Sequence, residues 1–347
     1  MPALSPLSDS PSDGPSTGSR PDTVAALPGL ASLVEEIANL KRVRAAHLPS
    51  NESWATVAFR QAWADLLACE SAAAVTDVAE RWTAAAVAAA RLGAITPSQL
   101  HAAGLGDDAI ANVFRRSVDA HANAIAPSQL DRLRDILLDI RPVSSLPEPS
   151  KPPFFVDALC RQPRAGATCP DRPRYLLDPP ELHSEHCLVV AVCGVLAAGW
   201  EQADPGPPFV FGLTHHLHNA TLADSGFAGE VLLGDDLQRV LDGLFAVAYE
   251  SIEPRWIVEL TESMRQQTQA AVTPEARSFH IADVLDRVAE MRHFERAATF
   301  EARTALVDLD LVHAGPTQAF GQQLLRDAGW WQDIAASSSD ADHGGHG

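Results

Sequence analysis

The sequence predicts an all-α protein. Residues 25–142 are rich in alanine and leucine, and apolar residues recur there at helical spacing, with no convincing strand pattern. One such stripe consists of Leu30, Leu33, Val34, Ile37 and Leu40. In the second half, Cys187–Ala198 is apolar on nearly all sides. A run of this length among helical neighbours favours a buried helix over a buried strand.

The predicted helices follow one another along the chain. Those of the first half cover residues 73–92, 109–120 and 128–140. Thr96-Pro97 predicts a further helix start, because a capping residue precedes a proline. Those of the second half cover residues 187–198, 209–219, 236–249, 254–271 and 274–309.

Composition divides the chain into five segments. The ends, residues 1–24 and 335–347, are rich in small and polar residues and are predicted to be disordered. Between them lie a helical N-terminal domain at 25–142 and a second helical domain at 181–334. Residues 143–180 contain many prolines and predict a linker followed by an irregular loop.

The charge excludes some partners. The chain has 26 basic and 45 acidic residues and a net charge of −19. Such a surface repels nucleic acid and anionic membranes, so we expect neither as a partner. A small phosphorylated molecule stays compatible with this charge, because a local arginine cluster can offset the overall field.

A cytoplasmic location is predicted. The five cysteines are scattered and form no CxxC pair, which indicates free thiols. No apolar run is expected to reach the ~18 residues of a membrane span. No secretory signal is visible at the N-terminus either.

Three histidines lie close together in the segment Thr214–Asn219. Crowded imidazoles repel one another when protonated, and burying them without partners is costly. A bound cation removes both problems, because neutral imidazole is a good metal ligand. The segment therefore predicts a metal site.

Three stretches together resemble the HD-domain superfamily, whose pattern is a histidine, a His-Asp pair and a distant aspartate on helices around one metal site. Ser184-Glu185-His186 resembles the segment with the first histidine. Leu213–Asp224 is similar to the "LLHD…GD" stretch of nucleotidase-like members, and Ala282–Val288 carries the distant aspartate. The resemblance covers about residues 155–325 and implies an HD-like helical bundle at 181–334.

The resemblance also implies the metal ligands. They are His186, His215, His216 and Asp283. His216 stands where the family has aspartate, so the site loses one negative charge and a group that bridges two ions. No further histidine lies between His218 and His280, where two-metal members have two. We therefore expect one divalent ion, and the ligand types suit Zn, Fe, Mn, Co or Ni.

Helical geometry limits how these side chains converge. On a continuous helix His215 and His218 share a face, whereas His216 is turned by about 100° from His215. The three histidines are therefore not expected to point at one ion. On the last long helix, the predicted buried stripe is Val284, Leu285, Val288 and Met291. Asp283 is expected at its flank, together with His280 and Arg287.

Three further residues receive catalytic roles. By positional analogy Asp224 activates water, His218 supports the ligands or contacts substrate, and Arg287 neutralises a phosphate. Four arginines in the irregular loop offer a second phosphate contact: Arg161, Arg164, Arg172 and Arg174. A weaker alternative places a zinc ion on His215, His218 and Glu230.

Three functions stay open at this point. The first is an HD-type metal-dependent phosphohydrolase acting on a nucleotide or small phosphoester. The second is a catalytically degenerate HD-like domain used for ligand sensing or protein interaction, which fits the histidine in place of aspartate. The third is an HD-type iron oxygenase, which needs more ligands than the sequence offers.

Overall fold

Helices make up the regular structure of the chain. The computed structural model describes residues 20–49, 52–137, 152–268, 273–299 and 318–328. Within these ranges no strand forms, and the β pairings are two isolated bridges, Pro163 with Leu182 and Ala167 with Tyr175. The all-α prediction is confirmed.

The helices are numbered here in chain order. The first half contains α1 (Pro21–Ala38), α2 (Trp54–Ala68), α3 (Val75–Leu92), α4 (Pro97–Ala102), α5 (Asp107–Asp119) and α6 (Pro127–Ile136). The second half contains α7 (Phe154–Leu159), α8 (His183–Glu201), α9 (Gly206–Thr214), α10 (Gly226–Leu233), α11 (Leu237–Tyr249), α12 (Arg255–Thr268), α13 (Pro274–Ala298) and α14 (Gln318–Asp327). A short 3-10 turn, Asn39–Lys41, follows α1 directly.

The central element is α8. It packs against α9 and also against α1, α2 and α3. All of its residues are buried except Gly199 and Trp200, as its nearly uniform apolar surface requires. The buried apolar cluster around it includes residues of both predicted helical domains, such as Leu33 and Val190. The helical half at 25–142 therefore shares its core with the half that carries the candidate site.

Helix α8 also has the length and hydropathy of a membrane-spanning helix, which the sequence was not expected to contain. A window of 18 of its 19 residues has a mean hydropathy of 1.2, and 89% of that window is buried inside the protein. Polar residues that open the helix, among them His183 and His186, explain why the run looks shorter in the sequence. Burial by other helices accounts for its apolar surface without a membrane.

Glycine allows α9 to lie close to α8. A Cβ atom added at Gly212 would lie 2.4 Å from Cα of Ala191. Gly194 of α8 faces Pro208 of α9 in the same interface. This close contact brings the end of α9 next to the first turns of α8, where the candidate site lies.

The boundaries of several elements differ from the prediction. Helix α1 begins at Pro21, inside the stretch predicted to be disordered up to residue 24. Residues 1–19 and the tail from 329 lie outside the described residues, as do 138–140, 269–271 and 300–309 of three predicted helices. The chain forms two compact units, residues 1–290 and 291–347, and the candidate site lies in the first. In the second unit, the described helices are the C-terminal end of α13 and the whole of α14.

Candidate metal centre

The site begins in the first turn of α8. Glu185 fixes this turn, because its carboxylate accepts hydrogen bonds from the Leu182 amide at 2.9 Å and from the Ser53 hydroxyl at 2.6 Å. His183 and His186 follow the same helix face three residues apart, and the side chains of both are fully buried. Two imidazoles thus enter the interior side by side.

The predicted helix over 209–219 is wrong in its second half. Helix α9 ends at Thr214, and His216 has φ −107° and ψ 20°, which lies outside the helical region. A 3-10 turn, Leu217–Ala220, follows. The break reorients His216, so its ring lies 4.3 Å from that of His215 and 5.2 Å from that of His186. His218 is not part of the group that this break creates with His186, so the three histidines of the segment do not share one candidate metal position.

Each of the three central imidazoles is anchored through Nδ1. His186 Nδ1 lies 2.7 Å from Oδ2 of Asp286, His215 Nδ1 lies 2.8 Å from the Gly212 carbonyl, and His216 Nδ1 lies 2.8 Å from Oδ1 of Asn219. These partners are oxygen acceptors, so each Nδ1 carries a proton, and a neutral ring then keeps its lone pair on Nε2. Histidines that bind metals are oriented in this way by an acceptor behind the ring.

Asp283 contributes a carboxylate from α13. Its Oδ1 lies 3.5 Å from Nε2 of His186, while its other oxygen accepts from the guanidinium of Arg287. Although burial raises the pKa of this carboxyl group, the neighbouring His186 and the charge of Arg287 bring it below its ordinary value. Asp283 is therefore an anion facing the imidazoles.

The predicted buried stripe of this helix is wrong at three of its four positions. Val284, Val288 and Met291 are exposed, and only Leu285 packs against the core. The inward face of α13 combines apolar residues with buried Asp283, Asp286 and Glu290, because it meets charged and imidazole groups from other elements.

The spacing of these atoms fits one cation. Nε2 of His186 and Nε2 of His215 lie only 3.2 Å apart. When both rings are neutral with Nδ1 protonated, two lone pairs face each other, which is unfavourable without a cation between them. Ligands of a tetrahedral ion with Zn–N bonds of about 2.0–2.1 Å lie about 3.3 Å apart. Ligand atoms of His186, His215 and His216 all lie within 4.8 Å of one another, so this group could hold a metal ion.

A second group already encloses a cation of the protein. Ligand atoms of Glu181, His186 and Asp286 also lie within 4.8 Å of one another. The ammonium of Lys41, however, contacts both carboxylates, with 2.6 Å from Nζ to Oδ1 of Asp286. Within the described residues the structure therefore favours a single metal position.

Burial keeps four imidazoles of this region neutral. It lowers the pKa of His215 to about 3, of His218 to about 4 and of His183 to about 2, and it places that of His216 well below 6.5. For His183 and His216, charges on neighbouring imidazoles and on Arg164 act in the same direction. Neutral imidazole is the form that binds metal.

Three buried groups beside the metal position have unused polar atoms. Among the described residues, no hydrogen-bond partner exists for either ring nitrogen of His183, for Nδ1 of His218 or for Nη1 of Arg164. Arg164 is held by Glu181, whose Oε2 lies 3.5 Å from its Nε. Buried polar atoms of this kind require water or a ligand. Of the four loop arginines, Arg164 is the one that reaches the interior, since Arg161, Arg172 and Arg174 are exposed.

The structure places the other predicted residues as follows. Asp224 accepts hydrogen bonds at 2.8 Å from the amides of Ala165 and Gly226, one on each oxygen, and so ties the irregular loop to the start of α10. Arg287 is 54% exposed and paired with Asp283. The side chain of His280 binds the Thr268 carbonyl, away from the cluster. Glu230, the third residue of the alternative zinc set, is exposed.

Sequence reasoning missed Lys41, His183 and Asp286. A usable signal existed for two of them. His183 stands three residues before His186, and Asp286 stands three residues after Asp283, so each shares a helix face with a proposed ligand. Nothing near Lys41 in the sequence indicates its contact with α13.

The metal-free protein is expected to lose stability on acidification. A histidine whose folded pKa lies below its unfolded value of about 6.5 stabilises the fold above that value, and this contribution is lost as pH falls toward the folded pKa. Lowering the pH from 7.5 to 5 should therefore reduce the free energy of unfolding by more than about 2 kcal/mol. Denaturant titrations with a chelator present would measure it. The variant His218→Gln should lose less free energy of unfolding over this pH interval. A stability that does not change with pH would contradict the burial of neutral histidines.

No family model, curated protein or solved structure matches this chain.

Proposed function

We propose that this chain is an HD-type metal-dependent phosphohydrolase with one divalent ion, acting on a nucleotide or small phosphoester. The observation that carries the proposal is the cluster of His186, His215 and His216, whose ligand atoms lie within 4.8 Å of one another, with Asp283 beside His186. They come from α8, from the end of α9 and from α13. This order, with histidine first and aspartate last, is the arrangement that the resemblance implies.

The proposed ion is held by Nε2 of the three histidines and Oδ1 of Asp283. These donors suit Zn, Fe, Mn, Co or Ni. The separations of 3.2 Å and 3.5 Å from His186 Nε2 favour a tetrahedral ion such as Zn²⁺ among them. A divalent ion at this position would lower the pKa of water and polarise a phosphoryl oxygen.

The residues around the ligands have separate tasks in this proposal. Arg164 presents Nη1, which has no partner among the described residues, to a phosphate oxygen. His218 accepts the proton of the attacking water through Nδ1, which has no hydrogen-bond partner among the described residues. Asp224 holds the loop beside them through the hydrogen bonds that it accepts from two backbone amides. Arg287 orients the carboxylate of Asp283 and does not need to contact substrate.

Activity of the purified, metal-loaded protein on nucleoside monophosphates and p-nitrophenyl phosphate tests the proposal. We expect turnover that a chelator abolishes and that added Zn²⁺, Co²⁺ or Mn²⁺ restores. The absence of turnover with every metal and phosphoester would refute a hydrolase.

Substitution of His218 tests its catalytic role. His218→Gln is expected to lower kcat by roughly 100-fold or more, because general-base catalysis contributes about 10²–10⁴-fold, while one ion per chain is retained. His47→Gln is a matched control, since His47 hydrogen-bonds the side chain of Gln99 at an exposed position. Equal kcat values for His218→Gln and the wild type would remove His218 from the mechanism.

One observation favours a second function, a catalytically degenerate domain that senses a phosphorylated ligand. Both oxygens of Asp224 accept hydrogen bonds from backbone amides, and His216 stands where the resemblance implies the aspartate of the His-Asp pair. Tight nucleotide binding without turnover would support this alternative. The iron oxygenase has no comparable support. A second ion would need the carboxylates of Glu181 and Asp286 as ligands, and Lys41 already pairs with both.

A further inference from the structure

Lys41 lies behind the metal position, although it belongs to the N-terminal part of the chain. It ends the 3-10 turn after α1, and its side chain is 1% exposed. Its ammonium contacts Glu181, Oδ1 of Asp286 at 2.6 Å and Oε2 of Glu290 at 3.6 Å. Three carboxylates from two distant segments thus surround one buried cation.

Two arginines extend this group of Lys41 and its three carboxylates, which together form a charged layer. Arg42 pairs with Glu290 through Oε1, and Arg164 lies on the far side of Glu181. Breaking a buried ion pair by removing one partner is strongly destabilising, because the other charge stays buried without compensation. The layer is therefore expected to hold its members in fixed positions.

Asp286 links this layer to the metal position. One oxygen is fixed by Lys41, and the other lies 2.7 Å from Nδ1 of His186. Because a carboxylate is rigid and planar, fixing one oxygen also fixes the direction of the other. The hydrogen bond from His186 then sets the tautomer and the ring plane, which aims Nε2 at the proposed ion.

We infer that Lys41 is a positioning residue of the metal centre, which holds Asp286 so that Asp286 orients His186. The N-terminal segment thereby completes the metal site. The inference rests on the proposed metal centre and adds to it the element that controls ligand geometry.

A purely electrostatic role for Lys41 predicts the opposite result. A positive charge near a cation site weakens metal binding, so its removal would strengthen binding if nothing else changed. Loss of positioning instead weakens binding, since substitutions behind a metal-binding histidine cost about 10–100-fold in affinity. The sign of the change in affinity separates the two roles.

Co²⁺ titration of the full chain, followed by visible absorption, tests the inference. Lys41→Met leaves three carboxylates without their cation, so the charge-balanced variant Lys41→Met/Glu181→Gln is measured beside it. We expect both variants to bind Co²⁺ about 10–100-fold more weakly than the wild type, with an altered spectrum. Arg132→Met is the control, because it removes a partly exposed cation paired with Asp77 and Glu80. Its affinity and spectrum should match the wild type.

A second comparison isolates the path through Asp286. Asp286→Asn alone should weaken Co²⁺ binding to a similar extent, and adding Lys41→Met to it should change affinity by no more than about twofold, since both substitutions break one link. Equal or tighter binding in the charge-balanced variant overturns the inference, as does full additivity of the two substitutions. Failure of the wild type to bind Co²⁺ would instead overturn the proposed metal centre itself.

Discussion

Replacing His186 by alanine is expected to abolish stoichiometric metal binding, with affinity for Zn²⁺ or Co²⁺ reduced by more than the 10–100-fold that changes behind a ligand cause. His186 is the central residue of the cluster. Its Nε2 lies 3.2 Å from Nε2 of His215 and 3.5 Å from Oδ1 of Asp283. Alanine removes the one nitrogen that lies within 3.5 Å of a donor atom of both His215 and Asp283. Calorimetric titration and metal analysis after dialysis would measure the loss.

His101→Ala is the control for this experiment. His101 lies on α4, its side chain is 51% exposed, and it pairs with Asp107. We expect its metal affinity to equal that of the wild type. Retention of one tightly bound ion in His186→Ala would show that the ion binds elsewhere in the protein. Circular dichroism of the metal-free variants would separate a lost ligand from a lost fold.

Gly212→Ala is expected to destabilise the protein by about 3 kcal/mol or more, the upper part of the range for overpacked cores. The added Cβ would lie 2.4 Å from Cα and 2.6 Å from N of Ala191, so backbone and not a flexible side chain must move. Helix α9 would have to shift away from α8. The carbonyl of Gly212 orients His215, so metal affinity should fall together with the melting temperature.

Gly243→Ala is the matched control. Gly243 lies in α11, and no described atom lies within 4 Å of a Cβ added there. Alanine has a higher helix propensity than glycine by about 0.8–1.0 kcal/mol, so this variant should melt at the same temperature as the wild type or higher. A Gly212→Ala protein that is as stable as Gly243→Ala would contradict the close contact of α8 with α9.

Much of the fold could be predicted from the sequence, because helical periodicity and helix caps are local signals. The apolar run that became α8 was predicted from length and composition, and the start of α4 from Thr96-Pro97. The end of α9 was missed because no glycine or proline marks it between residues 213 and 219. This error mattered for the site, since the turn at His216 is what lets its ring approach that of His186.

The buried face of α13 could not be found in full by looking for apolar residues. Among apolar residues such as Phe279 it carries Asp283, Asp286 and Glu290, whose partners lie on α8 and near the end of α1. Periodicity analysis assumes that the inward face is apolar, so it selected the exposed Val284 and Val288 instead. Pairing between charges about 245 residues apart, as for Lys41 and Asp286, becomes visible only in the folded chain.

The central claim is that three imidazoles and one carboxylate hold a single ion, and X-ray absorption spectroscopy of the zinc-loaded protein tests it most directly. We predict one zinc per chain, with a nearest shell of three nitrogens and one or two oxygens at about 2.0–2.2 Å. Failure to retain zinc, a shell containing sulfur, or a shell with a single imidazole would contradict the metal centre described for His186, His215, His216 and Asp283.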